Sequence, residues 1–247
     1  MQFIIGYSKI NVIGACTILN DAHFMGALGI ADADFDHIAQ PPQLPPNVIR
    51  TDFHDPECAI LQTKAFDKLL NEFCNPSKIE AWIAQHGCEL RSHILEQAAA
   101  VSGLLWYSLK TNLSLSFDKL EFKEFIDESS LIADQQKYVR HVKNKSSRHD
   151  LSDGVLVAGL KQSVADSGNQ KWQLTNGHFF VEILSVGFRK TLGNNSALVV
   201  SPERLEQSLR LAYELPDFVE SNLFKSLVQW QDDNYPYCFL KDECFTA

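Results

Sequence analysis

The pattern of apolar and polar positions changes character near residue 75. Before that point, short apolar runs alternate with helical spacing. "QFIIGY" (2–7) predicts a strand. In "INVIGACTILNDA" (10–22), Ile10, Ile13, Ile18 and Leu19 can share one face, which predicts a helix. "MGALGIAD" (25–32) has the apolar density of a buried strand between turns, and "NVIRTD" (47–52) predicts another short one. Between them, "AQPPQLPP" (39–46) is a proline-rich loop that excludes regular structure. "DPECAILQTKAFDKLLNEF" (55–73) predicts one helix, with Asp55 as N-cap and Pro56 at the first helical position. Strand, helix, strand, strand and helix in this order predict a compact α/β layer.

Beyond residue 75 the pattern is almost all helical. Residues 77–112 read as two helices broken near Gly87. "KLEFKEFI" (119–126) fits strand and helix equally. Residues 133–147 form a polar helix, 153–167 an amphipathic one, and 167–178 the clearest loop. Residues 178–194 predict a helix with Gly193 as its stop, and 201–215 a helix that starts at Ser201 and Pro202. The domains are therefore read as 1–75, α/β, and 76–247, mainly helical.

Composition narrows the function classes. In a chain of 247 residues, 45% hydrophobic content and 16 Phe supply a packed core, which excludes disorder. The net charge of −9 excludes a general nucleic-acid coat, so nucleic-acid contact would need a local basic patch or a metal. Six scattered cysteines without CxxC or paired Cys/His spacing predict reduced thiols in a cytoplasmic protein. The N-terminus lacks a basic region, so a signal peptide is not expected. No apolar run approaches the roughly 20 residues that span a bilayer.

Charge then singles out two acidic groups. Asp32, Asp34 and Asp36 alternate at the exit of the 25–32 strand. On a strand, Asp32 and Asp34 would project to one face. Two such carboxylates repel unless a cation lies between them, and hard oxygen ligands suit Mg2+ or Mn2+. A solvated strand exit is the plainer alternative. Asp52, Asp55 and Glu57 follow one strand later, where Asp55 also reads as a cap and Glu57 suits the helix dipole. Neighbouring parallel strands would place both groups on one rim, an arrangement that suits two-metal phosphodiester cleavage.

The order "GALGIADADFD…NVIRTDFHDPECAIL" resembles the OLD-related bacterial Toprim family that includes AriB, the effector of the PARIS anti-phage system. In that family a strand ends in a DxD pair, here Asp32 and Asp34. A "TD-x-x-D-x-E" tract follows, here Thr51, Asp52, Asp55 and Glu57, and then a helix. "IIGYSKINVIGACTILND" resembles the strand, lysine turn and helix that precede the DxD strand. The match covers roughly residues 1–75. It implies a Toprim-like sheet followed by a mainly helical domain, and a magnesium-dependent nuclease of phage defence. Asp32, Asp34, Asp55 and Glu57 would be its metal ligands and DNA or tRNA its target. A partner ATPase would be a separate protein, and a homodimer is a further expectation.

The chain departs from the family pattern at its start. The family's first, central strand carries a catalytic glutamate, and here no glutamate precedes Glu57. A longer native protein, an inactive copy, or a strand from another chain would each account for this, and the first is expected.

Other residues enter with alternatives open. Lys9 contacts a phosphate near the metal site or is a surface lysine at a helix start. In "KYVRHVKNKSSRH" (137–149), Lys137, Arg140, His141, Asn144 and Arg148 recur every three or four residues, and Lys143 lies in the same basic stretch. They form a phosphate-backbone footprint or a solvated helix face. Trp230 and the nearby tyrosines pack the C-terminus or stack bases. The nuclease, with Asp32, Asp34 and Lys9 as catalytic residues, therefore stands against a non-catalytic interaction module whose acidic rim is vestigial.

Overall fold

The computed structural model describes residues 2–41, 43–238 and 240. The sheet is smaller than the sequence predicts. Strand β1 (Gly29–Ala31) pairs in parallel with β2 (Val48–Arg50), with Gly29 opposite Val48 and Ala31 opposite Arg50. The runs 25–32 and 47–52 thus contribute three residues each. Residues 2–7 form no strand, and Phe3, Ile4 and Ile5 are exposed. A strand needs a ladder partner, and among the described residues none lies beside that segment.

Helix α1 (Lys9–Asp21) covers one face of β1 and β2. Val12, Ile13 and Cys16 pack there with Ala31, Val48 and Leu44 as a small separate core. Ser8 caps the helix by accepting from the Asn11 amide.

The segment predicted as one helix over 55–73 folds as two, α2 (Pro56–Leu61) and α3 (Lys64–Phe73). The break falls at Thr63, whose hydroxyl accepts from the Ala65 amide and caps α3. Both helices bury side chains in the main helical core, including Leu61, Phe66 and Leu69. The packing therefore joins α2 and α3 to the helical body.

That body is assembled around two helices. Helix α5 (Leu90–Lys110) packs on α7 (Asp153–Ser167), α9 (Gly177–Arg189) and α6 (Gln135–Lys145). Helix α9 buries Phe180, Ile183, Leu184 and Phe188 completely. An apolar sequence on nearly every side is what a central helix requires. Helix α4 (Pro76–His86) ends at Gly87, which takes a left-handed conformation at φ 66°. The ambiguous residues 119–126 form one 3-10 turn (Phe122–Glu124) and an isolated antiparallel bridge between Ile126 and Ala133.

The remaining helices are α8 (Lys171–Leu174), α10 (Pro202–Ala212), α11 (Leu215–Val219) and α12 (Asn222–Asp233). The molecule is thus mixed α/β but mostly helical. Among the described residues no helix is long and apolar enough to cross a membrane.

Candidate active site

The alternating aspartates continue the strand's in-and-out pattern past its last hydrogen bond. Ala31, Ala33 and Phe35 point inward and are buried, whereas Asp32 is exposed and Asp34 and Asp36 are partly so. Phe35 anchors the turn by stacking on Trp106 at 4.8 Å and meeting the His54 ring edge-on at 4.6 Å. Backbone bonds lock it to the second acidic loop. Asp34 N donates to His54 O at 2.7 Å, and Ala33 N donates to the Thr51 hydroxyl at 2.9 Å. Asp34 has φ 49°, so it sits in a turn and not on an extended strand.

Lys9 holds this turn from outside. Its ammonium donates to Ala33 O at 3.0 Å, Asp34 Oδ2 at 3.1 Å and Asp36 Oδ2 at 2.9 Å. Three acceptors use all three of its donors. Asp36 also accepts from Arg50 Nε at 2.7 Å, and these two cations hold its carboxyl below the usual range despite partial burial. The structure thus makes Lys9 a staple of the aspartate turn.

The second acidic group points at helix N-termini. Asp55 is buried, and its two oxygens accept from Cys58 N at 2.9 Å and Gly177 N at 2.6 Å. One carboxylate therefore caps both α2 and α9, where amide dipoles favour negative charge. Asp52 Oδ2 accepts from Asn222 N at 2.7 Å, at the start of α12. Glu57 is buried against Arg210, whose Nη1 lies 3.1 Å from Oε1. Burial and then the Asp55 charge push the Glu57 carboxyl up.

Within the two acidic groups, Asp32 differs from its neighbours. It makes no hydrogen bond or ion pair to a described residue, whereas Asp34, Asp36, Asp52, Asp55 and Glu57 each have at least one such partner. Desolvation, then Asp55, then Asp34 raise its pKa, with His178 and Lys9 opposing. Residues from α1, the β1 exit, α2 and α9 therefore share one electrostatic site.

His178 is the main cation that sequence reading did not assign to this site. Its Nδ1 lies 2.6 Å from Glu206 Oε1, and that bond leads the rise of its pKa to about 9, with Glu57 and Asp55 adding. One turn along α9, Glu182 is raised to about 7 by desolvation and then by Glu203 and Glu206. His178 and Glu182 line a cavity of about 460 Å³ with Asn176, Phe117, Phe122 and Phe179. The spacing of Glu206 and Arg210 by four residues was visible in the sequence. Their meeting with His178 and Glu57 was not.

Each of these two groups contributes a pH effect of definite sign. His178, raised from 6.5, contributes stability below pH 6.5 that is lost as pH rises through about 9. Glu182, raised from 4.5, loses a proton less readily when folded, so stability falls as pH rises from about 4.5 to 7. Below about pH 6.5 His54 and His93, whose pKa values burial lowers, oppose Glu182, so melting temperature is expected to decline from about pH 7 to 9. His178→Gln should flatten that decline, and Glu182→Gln should raise the melting temperature at pH 7 relative to pH 5 more than in the parent, as read by thermal unfolding across the range.

Gly177 is a second feature without a sequence signal. A Cβ there would lie 2.4 Å from Asp55 Oδ1 and 2.6 Å from Glu57 Cβ. Gly177→Ala is expected to destabilise by about 1–3 kcal/mol, the usual range for overpacking. A denaturant midpoint equal to that of the parent would show that the α2–α9 contact is looser than described.

Magnesium takes one or two carboxylates and completes its shell with water and phosphate oxygens. Asp32, with no partner among the described residues, and Asp34, of which only Oδ2 is taken by Lys9, are the carboxylates that could hold one such ion. Asp55 and Glu57, committed to backbone amides and Arg210, do not fit a second. Among the described residues no group of three or more His, Cys, Asp or Glu is arranged to hold a metal.

The basic face on α6 is largely answered from within. Arg140 pairs with Asp153 at 3.0 Å, and Lys143 bonds the same carboxylate. Arg148 makes a two-pronged pair with Asp150 at 2.9 Å, and Lys137 lies 3.9 Å from Asp134. Trp230 is buried, whereas Tyr235 is 89% exposed. Comparison of the chain with protein families, with curated proteins and with solved structures finds no match.

Proposed function

We propose that the protein is a magnesium-dependent nuclease whose chemistry centres on Asp32 and Asp34. The observation that carries this reading is Asp32 itself. It is a carboxylate without a partner among the described residues, and partial desolvation, then the charges of Asp55 and Asp34, raise its energy. Such a group is costly unless a cation completes it. Bound there, Mg2+ would lower the pKa of a water and offset charge on a phosphodiester. Lys9 fixes the backbone and carboxylate of Asp34, and His178 sets a positive charge beside the same cluster. The Toprim resemblance supports the same reading, with cleavage of DNA or tRNA in anti-phage defence.

The other reading is a non-catalytic interaction module, with an ATPase as one partner. It draws support from the exposed apolar residues near the start of the chain. Incubation with duplex DNA, single-stranded DNA and tRNA separates the two. Cleavage with Mg2+ that EDTA abolishes is the expected result. No cleavage of any of them in Mg2+ or Mn2+ would overturn the nuclease.

A further inference from the structure

A second cavity, of about 410 Å³, lies at the C-terminal end of α9. Lys123, Arg189 and Lys190 line it with Glu128, against an aliphatic wall that includes Ile126 and Val186. Arg189 stands roughly 16 Å along the helix from His178, at 1.5 Å per residue, so this cavity is separate from the acidic site.

Within the cavity Arg189 is unanswered. Its Nε is buried without a hydrogen-bond partner. The nearby acids are turned to other cations: Glu121 lies 3.4 Å from Lys123 and Glu128 lies 3.9 Å from Lys190, both as exposed pairs. Glu182, two turns earlier on α9, feels the Arg189 charge but forms no ion pair with a described residue. A buried guanidinium N–H left without an acceptor is costly.

The usual duty of a cation in a last helical turn is to serve the final carbonyls. Here other residues do that. Lys78 Nζ donates to Lys190 O at 2.7 Å and to Gly193 O at 2.6 Å, and Asn195 Nδ2 donates to Phe188 O at 2.8 Å. The Arg189 guanidinium is therefore not needed to close α9.

We propose that this cavity binds a phosphate group, with Arg189 gripping two of its oxygens and Lys123 and Lys190 flanking it. The Nε–H and an Nη–H of a guanidinium lie parallel and match two oxygens of one phosphate. Three lining cations against the one carboxylate of Glu128 leave two positive charges in excess, in a chain of net charge −9. A carboxylate ligand would offset only one of them, whereas a phosphate monoester carries about −1.5 to −2. The cavity has room for more than the phosphate, and Ile126 and Val186 offer an apolar wall to what carries it, a small phosphate ester or a nucleic-acid strand. The inference is independent of the nuclease reading.

Calorimetric titration of the full chain, in EDTA and low salt, tests it with two probes. One is AMP, a phosphate monoester. The other is a short oligothymidylate without terminal phosphates, which offers backbone diesters alone. Saturable binding of at least one probe at millimolar concentration or below is expected. Arg189→Lys keeps the charge but loses the fork, and should weaken that binding by at least about tenfold. Lys190→Gln, on a side chain 82% exposed, should weaken it by about two- to fivefold with the circular dichroism unchanged. Binding of AMP alone would assign the site to a small phosphate ester, and binding of the oligothymidylate alone to a strand backbone. Binding of neither probe by the parent would overturn the inference. So would binding that both variants leave unchanged, since the phosphate would then sit elsewhere.

Discussion

Replacing Asp32 and Asp34 together by asparagine is expected to reduce Mg2+-dependent cleavage by at least about 100-fold, the scale of losing a principal transition-state stabiliser. The fold should survive. Asp32 has no partner among the described residues to lose, and the Asp34 side chain is 48% exposed and shares Lys9 with Asp36. Loss of such an exposed pair costs about 1 kcal/mol or less. The single Asp32→Asn variant carries a further signature. It removes a charge that desolvation, then Asp55 and Asp34, disfavour, so its melting temperature in EDTA should match or exceed that of the parent. Full cleavage by the double variant would remove the nuclease assignment from these residues. Lost cleavage with a collapsed melting temperature would mean that they act only as scaffold.

Asp55→Ala is expected to destabilise the protein by about 3 kcal/mol, because one buried carboxylate satisfies two helix N-termini. A single N-cap is worth about 0.5–2 kcal/mol, and hydrogen bonds to charged groups lie at the upper end of net values. In a domain of this size that corresponds to a fall in melting temperature of roughly 6–12 °C. Asp55→Asn should lose most of the same stability. Its amide can offer one acceptor, so its NH2 group must face either Cys58 N or Gly177 N, donor against donor. If Asp55 served only as a metal ligand, both variants would unfold with the parent in EDTA. Asp52→Ala, at the exposed start of α12, should cost only about 0.5–1 kcal/mol.

The acidic "TDFHDPE" tract shows how far a sequence motif can be read. The N-cap role of Asp55 toward α2 was legible, because Asp-Pro before an apolar run is a local signal. Its second bond, to Gly177, spans 122 residues and has no local trace. The same holds for Lys9 with Asp34 and for Glu57 with Arg210. An acidic run thus looks alike in sequence whether cations, amides or a metal answer it. The basic face on α6 behaves in the same way. Its spacing was visible, but the bonds from Arg140 and Lys143 to Asp153 depend on how α6 meets α7.

Regular elements divide along the same line. Helix α7 spans the residues its periodicity marks, 153–167, and the break at Gly87 follows from the left-handed stop. Helix α9 ends at Arg189, before the expected glycine stop. Gly193 instead lets the chain pass close to Phe188 O and Phe73 O. The predicted strand at 2–7 is absent because a strand is completed by its neighbour. Sequence alone missed the short helix α8 in the predicted loop 167–178 and helices α11 and α12, but it determined most of the longer helices, some of their caps and the alternation that turns Asp32 and Asp34 outward. Each of these arises from interactions within a turn or two of chain. Only the tertiary structure decided which acids are spent on helix ends and cations and which one is left open. That partition rests mainly on contacts between residues 14 to 170 positions apart, which no local period encodes.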